Sequence, residues 1–103
     1  MVTCAKCHIS ADDSKDFHRV VSISGGIMGD EYIESLYYCN KCECYTVEVY
    51  RDRFDGPDSE FIRGPLSKED GEALVTLIYQ CERPYDKKCR CPAHREYFGS
   101  WLD

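Results

Sequence analysis

Three short segments in the first half of the chain carry a strand-like pattern of apolar and polar positions. Arg19-Val20-Val21-Ser22-Ile23-Ser24 is rich in β-branched residues, which suit a pleated strand. Tyr32 to Tyr38 reads as a second strand. Tyr45-Thr46-Val47-Glu48-Val49-Tyr50 reads as a third, with Tyr45, Val47 and Val49 on one face. Gly25-Gly26 and Gly29-Asp30 punctuate a turn or loop between the first two. Ile27 and Met28 lie inside it, and an apolar pair at a loop tip is expected to fold back on the core. The stretch from Asp52 to Pro65, with Gly56-Pro57 and Gly64-Pro65, reads as a loop.

The period then changes. Ser67 is placed as a helix N-cap, with Glu69 and Asp70 in the first turn, where acids suit the helix dipole. Leu74, Leu77, Ile78 and Cys81 recur at helical spacing, so they are expected to share a buried face. Gly71 weakens this helix and Pro84 stops it. A shorter helical turn is expected from Pro92 to Phe98. Tyr97, Phe98, Trp101 and Leu102 are expected to pack on the sheet. The pattern predicts a small α+β domain spanning residues 1–103. Residues 4–51 would form a three-stranded antiparallel sheet, and residues 66–98 one main helix and a C-terminal segment.

Composition changes the picture through cysteine. The chain has 103 residues and eight cysteines, and a core of this size is modest without cross-links. The N-terminus shows no basic start or apolar run before a cleavage site. A cytoplasmic setting is therefore expected, and there such cysteines bind metal more often than they pair. No apolar run approaches a membrane span. The net charge of -6 opposes a bulk electrostatic grip on nucleic acid.

The cysteines fall into groups with ligand spacing. Cys4-Ala5-Lys6-Cys7 and Cys39-Asn40-Lys41-Cys42 supply four thiolates, the tetrahedral set that zinc or iron takes. The interval His8 to Tyr38 exceeds the usual spacing of about 15–20 residues between paired knuckles; an extended hairpin would fill it. Cys81, Cys89, Cys91 and His94 form a second candidate set, of the Cys₃His kind. Cys44 is an alternative ligand there, and Cys44 and His8 are the surplus among ten candidates. Cys4 to His8 also matches a c-type haem attachment motif. Asp52, Asp55 and Asp58 lack the alternate-residue pattern of a calcium loop. His94-Arg95-Glu96 mimics the His-x-Glu of zinc deaminases, but no cysteine follows Cys91. No phosphate loop, dinucleotide fingerprint or nucleophile elbow is visible. Lys87, Lys88, Arg90 and Arg95 form a basic rim around the second set.

On Cys4, Cys7, Cys39, Cys42 and the strands beside them, residues 4–50 resemble a zinc-ribbon or rubredoxin-like domain. The rubredoxin side of this resemblance implies iron and electron transfer. Such knuckles usually place Gly after the second Cys, where this chain has His8 and Glu43, and rubredoxin favours Pro where it has Asn40. These departures put zinc ahead of iron. The expected function is a non-catalytic interaction or adaptor module with two structural zinc ions and another protein as partner. The alternatives are an iron or haem electron carrier, and a zinc protein that meets nucleic acid through Lys87, Lys88, Arg90 and Arg95.

Overall fold

The computed structural model describes residues 2–11, 15–53 and 56–99. Trp101 and Leu102, expected to add apolar area, and Asp55 lie outside them. The fold is α+β. Four strands, β1 (Phe17–Ile27), β2 (Asp30–Cys39), β3 (Cys44–Asp52) and β4 (Ser59–Ser67), form one sheet in the order β1-β2-β3-β4. Each neighbouring pair is antiparallel. Helices α1 (Lys68–Tyr79) and α2 (Pro92–Phe98) follow.

The three expected strands are present, and a fourth replaces part of the expected loop from Asp52 to Pro65. The pattern of β4 hides it. Residues 59–65 are exposed, so an edge strand shows no apolar face to alternate, and Gly64-Pro65 reads as a turn. The Gly25-Gly26 punctuation is also corrected: both glycines lie within β1, opposite Tyr32 and Glu31 of β2. Gly25 is needed because the Phe98 ring packs on it. A Cβ there would stand 2.6 Å from Phe98 Cε2. The β1–β2 turn is only Met28-Gly29, both at positive φ, the requirement of a two-residue hairpin turn whose twist matches the strands. That geometry throws Met28 outward (82% exposed) instead of onto the core, while Ile27 packs against it.

Tyr45, Val47 and Val49 of β3 are buried as the alternation predicts. With Ile23, Leu36, Val75, Ile78 and Phe98 they make the main core between the sheet and the helices. Helix α1 starts as expected, with Ser67 Oγ accepting from Asp70 N–H at 3.1 Å. It stops earlier, at Tyr79, and Cys81 lies just past its cap. Gly71, Val75 and Ile78 are the residues it buries, while Leu74 and Leu77 sit at the margin of that face. Gly71 carries no side chain because Tyr45 occupies the space; a Cβ would stand 2.0 Å from Tyr45 Cδ1.

One buried carboxylate crosses this core. Glu34 is only 7% exposed, and its Oε1 accepts from Arg63 Nη2 and from Tyr97 Oη, each at 2.8 Å. Burial and the neighbouring Glu34 charge raise the Tyr97 phenol above its usual range. The network is satisfied, as a buried charge must be to persist. A second small core of Val2, Cys4, Phe17, Cys39 and Cys44 lies at the other end of the sheet, under the N-terminal segment.

Candidate metal centres

The first centre is built by two copies of one local device. In each, a Cys-x-x-Cys turn is closed by the amide of the residue after the second cysteine. His8 N–H donates to Cys4 C=O at 2.9 Å, and Glu43 N–H to Cys39 C=O at 2.8 Å. Closing so tightly reverses the chain through the left-handed region. His8 has φ 65° and Glu43 φ 51°, the conformation that usually demands glycine. The knuckle geometry is thus kept without the glycine. The first turn extends from the N-terminal segment, anchored where Ala5 N–H donates to Thr46 Oγ1 at 2.9 Å. The second is the loop joining β2 to β3, closed by the Cys39–Cys44 pair.

This brings Cys4, Cys7, Cys39 and Cys42 together, with all four Sγ atoms within 4.8 Å of one another. Cys7 Sγ and Cys39 Sγ stand 3.9 Å apart. Metal–sulfur bonds of about 2.3 Å in a tetrahedron require sulfurs about 3.8 Å apart, whereas a disulfide would bring them to about 2.05 Å. No cysteine pair is at disulfide distance, and all eight are free. Amides point at the sulfurs as well. Burial raises the Cys4 thiol, but backbone N–H groups of Cys7 and Lys6 and its thiol neighbours outweigh this and lower it to about 6. Cys42 is pushed up to about 12, first by its hydrogen bond with Cys7 and then by burial.

The second centre is assembled from the end of α1, the loop after it and the start of α2. Cys81 Sγ accepts from Arg83 N–H at 3.3 Å. Successive turns bring the chain back, with Asp86 N–H donating to Arg83 C=O and Cys89 N–H to Asp86 C=O. Cys91 is the N-cap of α2, its Sγ accepting from His94 N–H at 3.4 Å. Cys81, Cys89, Cys91 and His94 all place a ligand atom within 4.8 Å of the others. Cys81 and Cys89 sulfurs are 3.7 Å apart, and His94 Nδ1 is 3.1 Å from Cys81 Sγ and 3.6 Å from Cys91 Sγ. The His94 ring is fully buried, and its Nε2–H donates to the Ser24 carbonyl at 2.9 Å. That bond fixes the tautomer with Nδ1 turned into the cluster, as outer partners of metal-bound histidines do. Burial lifts Cys81 to about 12. Cys91 falls to about 6, because its hydrogen bonds from His94 outweigh its burial.

Both groups of four expected from spacing are therefore brought together, and two clusters exist that could hold metal. Cys44 belongs to neither. It lies beside the first, 4.0 Å from Cys4, buried, with burial foremost in raising its thiol to about 11. The Ser24 carbonyl behind His94 and the cap role of Cys91 had no signal in spacing, since both depend on how α2 meets β1. The basic rim is partly committed to the loop: Arg90 Nη1 donates to the Lys87 and Cys89 carbonyls, and Lys87 Nζ is 3.8 Å from Glu31. Among the described residues no helix is long and apolar enough to cross a membrane. Set against known protein families, curated proteins and solved structures, the chain has no match, so the two clusters are the firmest statement of kind: this is an α+β chain with paired cysteine knuckles, consistent with a zinc-ribbon-like module.

Proposed function

We propose that this chain is a zinc-binding, non-catalytic interaction module of one domain. Cys4, Cys7, Cys39 and Cys42 would hold one ion, and Cys81, Cys89, Cys91 and His94 a second. The observation that carries the reading is the completeness of each set: four ligand atoms converge within 4.8 Å. A four-protein-ligand tetrahedron is the arrangement of structural zinc, whereas catalytic zinc keeps a position open for water or substrate. The mixed thiolate–imidazole set, with its imidazole held from behind, also suits zinc. The ions would link segments distant along the chain: the N-terminal turn to the β2–β3 loop, and the end of α1 to the start of α2. Folding would then depend on metal.

The four thiolates of the first set would suit iron as well, and iron there would favour electron transfer. A haem attached at Cys4 and Cys7 fits less well, because both sulfurs turn towards Cys39 and Cys42 instead of standing free. Elemental analysis with a visible spectrum, on protein purified without added metal, tests these readings. Two zinc ions per chain and no colour are expected. Iron with strong visible absorbance, or protein that melts identically with and without chelator, would overturn the proposal.

A further inference from the structure

The two edges of the sheet are finished differently. The outer edge of β1 is strapped by the second cluster: Ser24 N–H donates to Pro84 C=O at 2.7 Å and Ser24 C=O accepts from His94. The outer edge of β4 has no such strap among the described residues, and residues 59–65 are all exposed. In an antiparallel strand, backbone N–H and C=O groups point alternately to either side, so an uncovered edge offers a row of them to a further strand. Proteins usually blunt such an edge with proline, a bulge or charge. In β4 the proline and the register shift lie at the far end, around Gly64-Pro65, leaving residues 59–63 regular. The cation in that stretch, Arg63, is drawn onto Glu34.

The open stretch carries two large apolar side chains in succession, one on each face of the sheet. Phe61, paired with Val49, is 51% exposed, and Ile62, paired with Glu48, is 42% exposed. Glu48 and Glu60 line the same shallow hollow of 320 Å³ as these two residues. Neither glutamate has an ion-pair partner among the described residues. Asp52 and Asp58 stand nearby, and the Asp58 charge raises the Asp52 carboxyl above its usual range, as expected in a field short of cations.

We propose that the edge of β4, residues 59–63, takes up an extended apolar and basic segment of another protein as a fifth strand. The proposal rests on the interaction-module reading and names the partner's chemistry. Backbone hydrogen bonds would supply the register. Apolar side chains at alternate positions would cover Phe61 on one face, and the lysine or arginine between them would lie along Ile62 on the other face and meet Glu48 and Glu60. Charge argues against a second copy of this chain as the occupant, since two chains of net charge -6 would bring their acidic strands together.

The test uses the full metal-loaded chain and a capped seven-residue peptide of alternating valine and lysine. Amide hydrogen exchange across residues 59–63 is expected to slow at least tenfold. A valine–glutamate counterpart and a fully N-methylated version of the first peptide are each expected to bind at least tenfold more weakly. Glu60→Lys and Ile62→Lys, both at exposed positions, are expected to weaken binding at least tenfold with metal content unchanged. Unprotected β4 amides, equal affinity for the two charged peptides, or a dimer formed through β4 would each overturn the proposal. Metal content on the same sample keeps the two readings apart. Full loading without peptide binding removes only the edge proposal, whereas peptide binding without bound metal removes only the zinc reading.

Discussion

Replacing Glu43 with glycine should stabilise the protein, although Glu43 touches no core. Its φ is 51°, and for an L-residue that conformation brings Cβ against the neighbouring carbonyl at a cost of about 1–2 kcal/mol. Glycine removes that cost but loses more backbone freedom on folding, roughly 0.5–1 kcal/mol. The side chain is exposed, so its deletion should change little else. The balance spans roughly 0–1.5 kcal/mol in favour of glycine, centred on about 0.75. At about 4–8 °C per kcal/mol for a domain of this size, that centre raises Tm by roughly 3–6 °C. Thermal unfolding would be followed with metal at fixed free concentration, since bound metal itself shifts Tm. Glu43→Ala is the control: it removes the same carboxylate but keeps Cβ. If the glycine and alanine variants melt together, or glycine melts lower, the left-handed turn is not the source of strain and the knuckle reasoning fails.

Four further outcomes follow from the same geometry. Cys39→Ser should remove one metal equivalent and much of the cooperative melt, while Cys44→Ser, outside the four-sulfur cluster, should keep both equivalents by elemental analysis. Chelation should speed exchange of the Ser24 amide at least tenfold, because its acceptor at Pro84 is held in place by the second cluster; an unchanged rate would mean the strap is independent of metal. Metal affinity should rise with pH. In the metal-free protein Cys42 is held near 12 and Cys39 is raised by burial, so both are protonated at pH 7–8. At least two protons must then leave the first cluster on binding, which makes apparent affinity climb about 100-fold per pH unit; a flat competition titration between pH 7 and 8 would contradict this. Gly71→Ala should lower Tm despite better helix propensity. Overpacking against the near end of the Tyr45 side chain costs roughly 1–3 kcal/mol, more than the gain of up to about 1 kcal/mol from the helix.

Local chemistry alone made much of this protein legible. Cys-x-x-Cys repeated at Cys4 and Cys39, and Cys-x-Cys-x-x-His at Cys89, fixes which side chains lie close whatever surrounds them. The alternation of Tyr45, Val47 and Val49 sets a strand face, and Ser67 with Asp70 sets a helix start, because each depends on neighbours within a turn or two. The edge strand was illegible for the opposite reason: Glu60-Phe61-Ile62-Arg63 buries neither face, so no periodicity records it. His8 and Glu43 stand where such knuckles usually have glycine, and only the tertiary structure shows both residues driven into the left-handed conformation glycine would have taken. In the zinc reading, closing a ring of ligands from distant segments would outweigh the cost of about a kilocalorie or two at each turn. Tertiary packing likewise excluded Cys44 from either cluster, set Ser24 behind His94, and left one sheet edge strapped and the other open. Spacing along a chain limits which residues can share an ion, but which face an edge presents, and to what, is decided by the segments that happen to cover it.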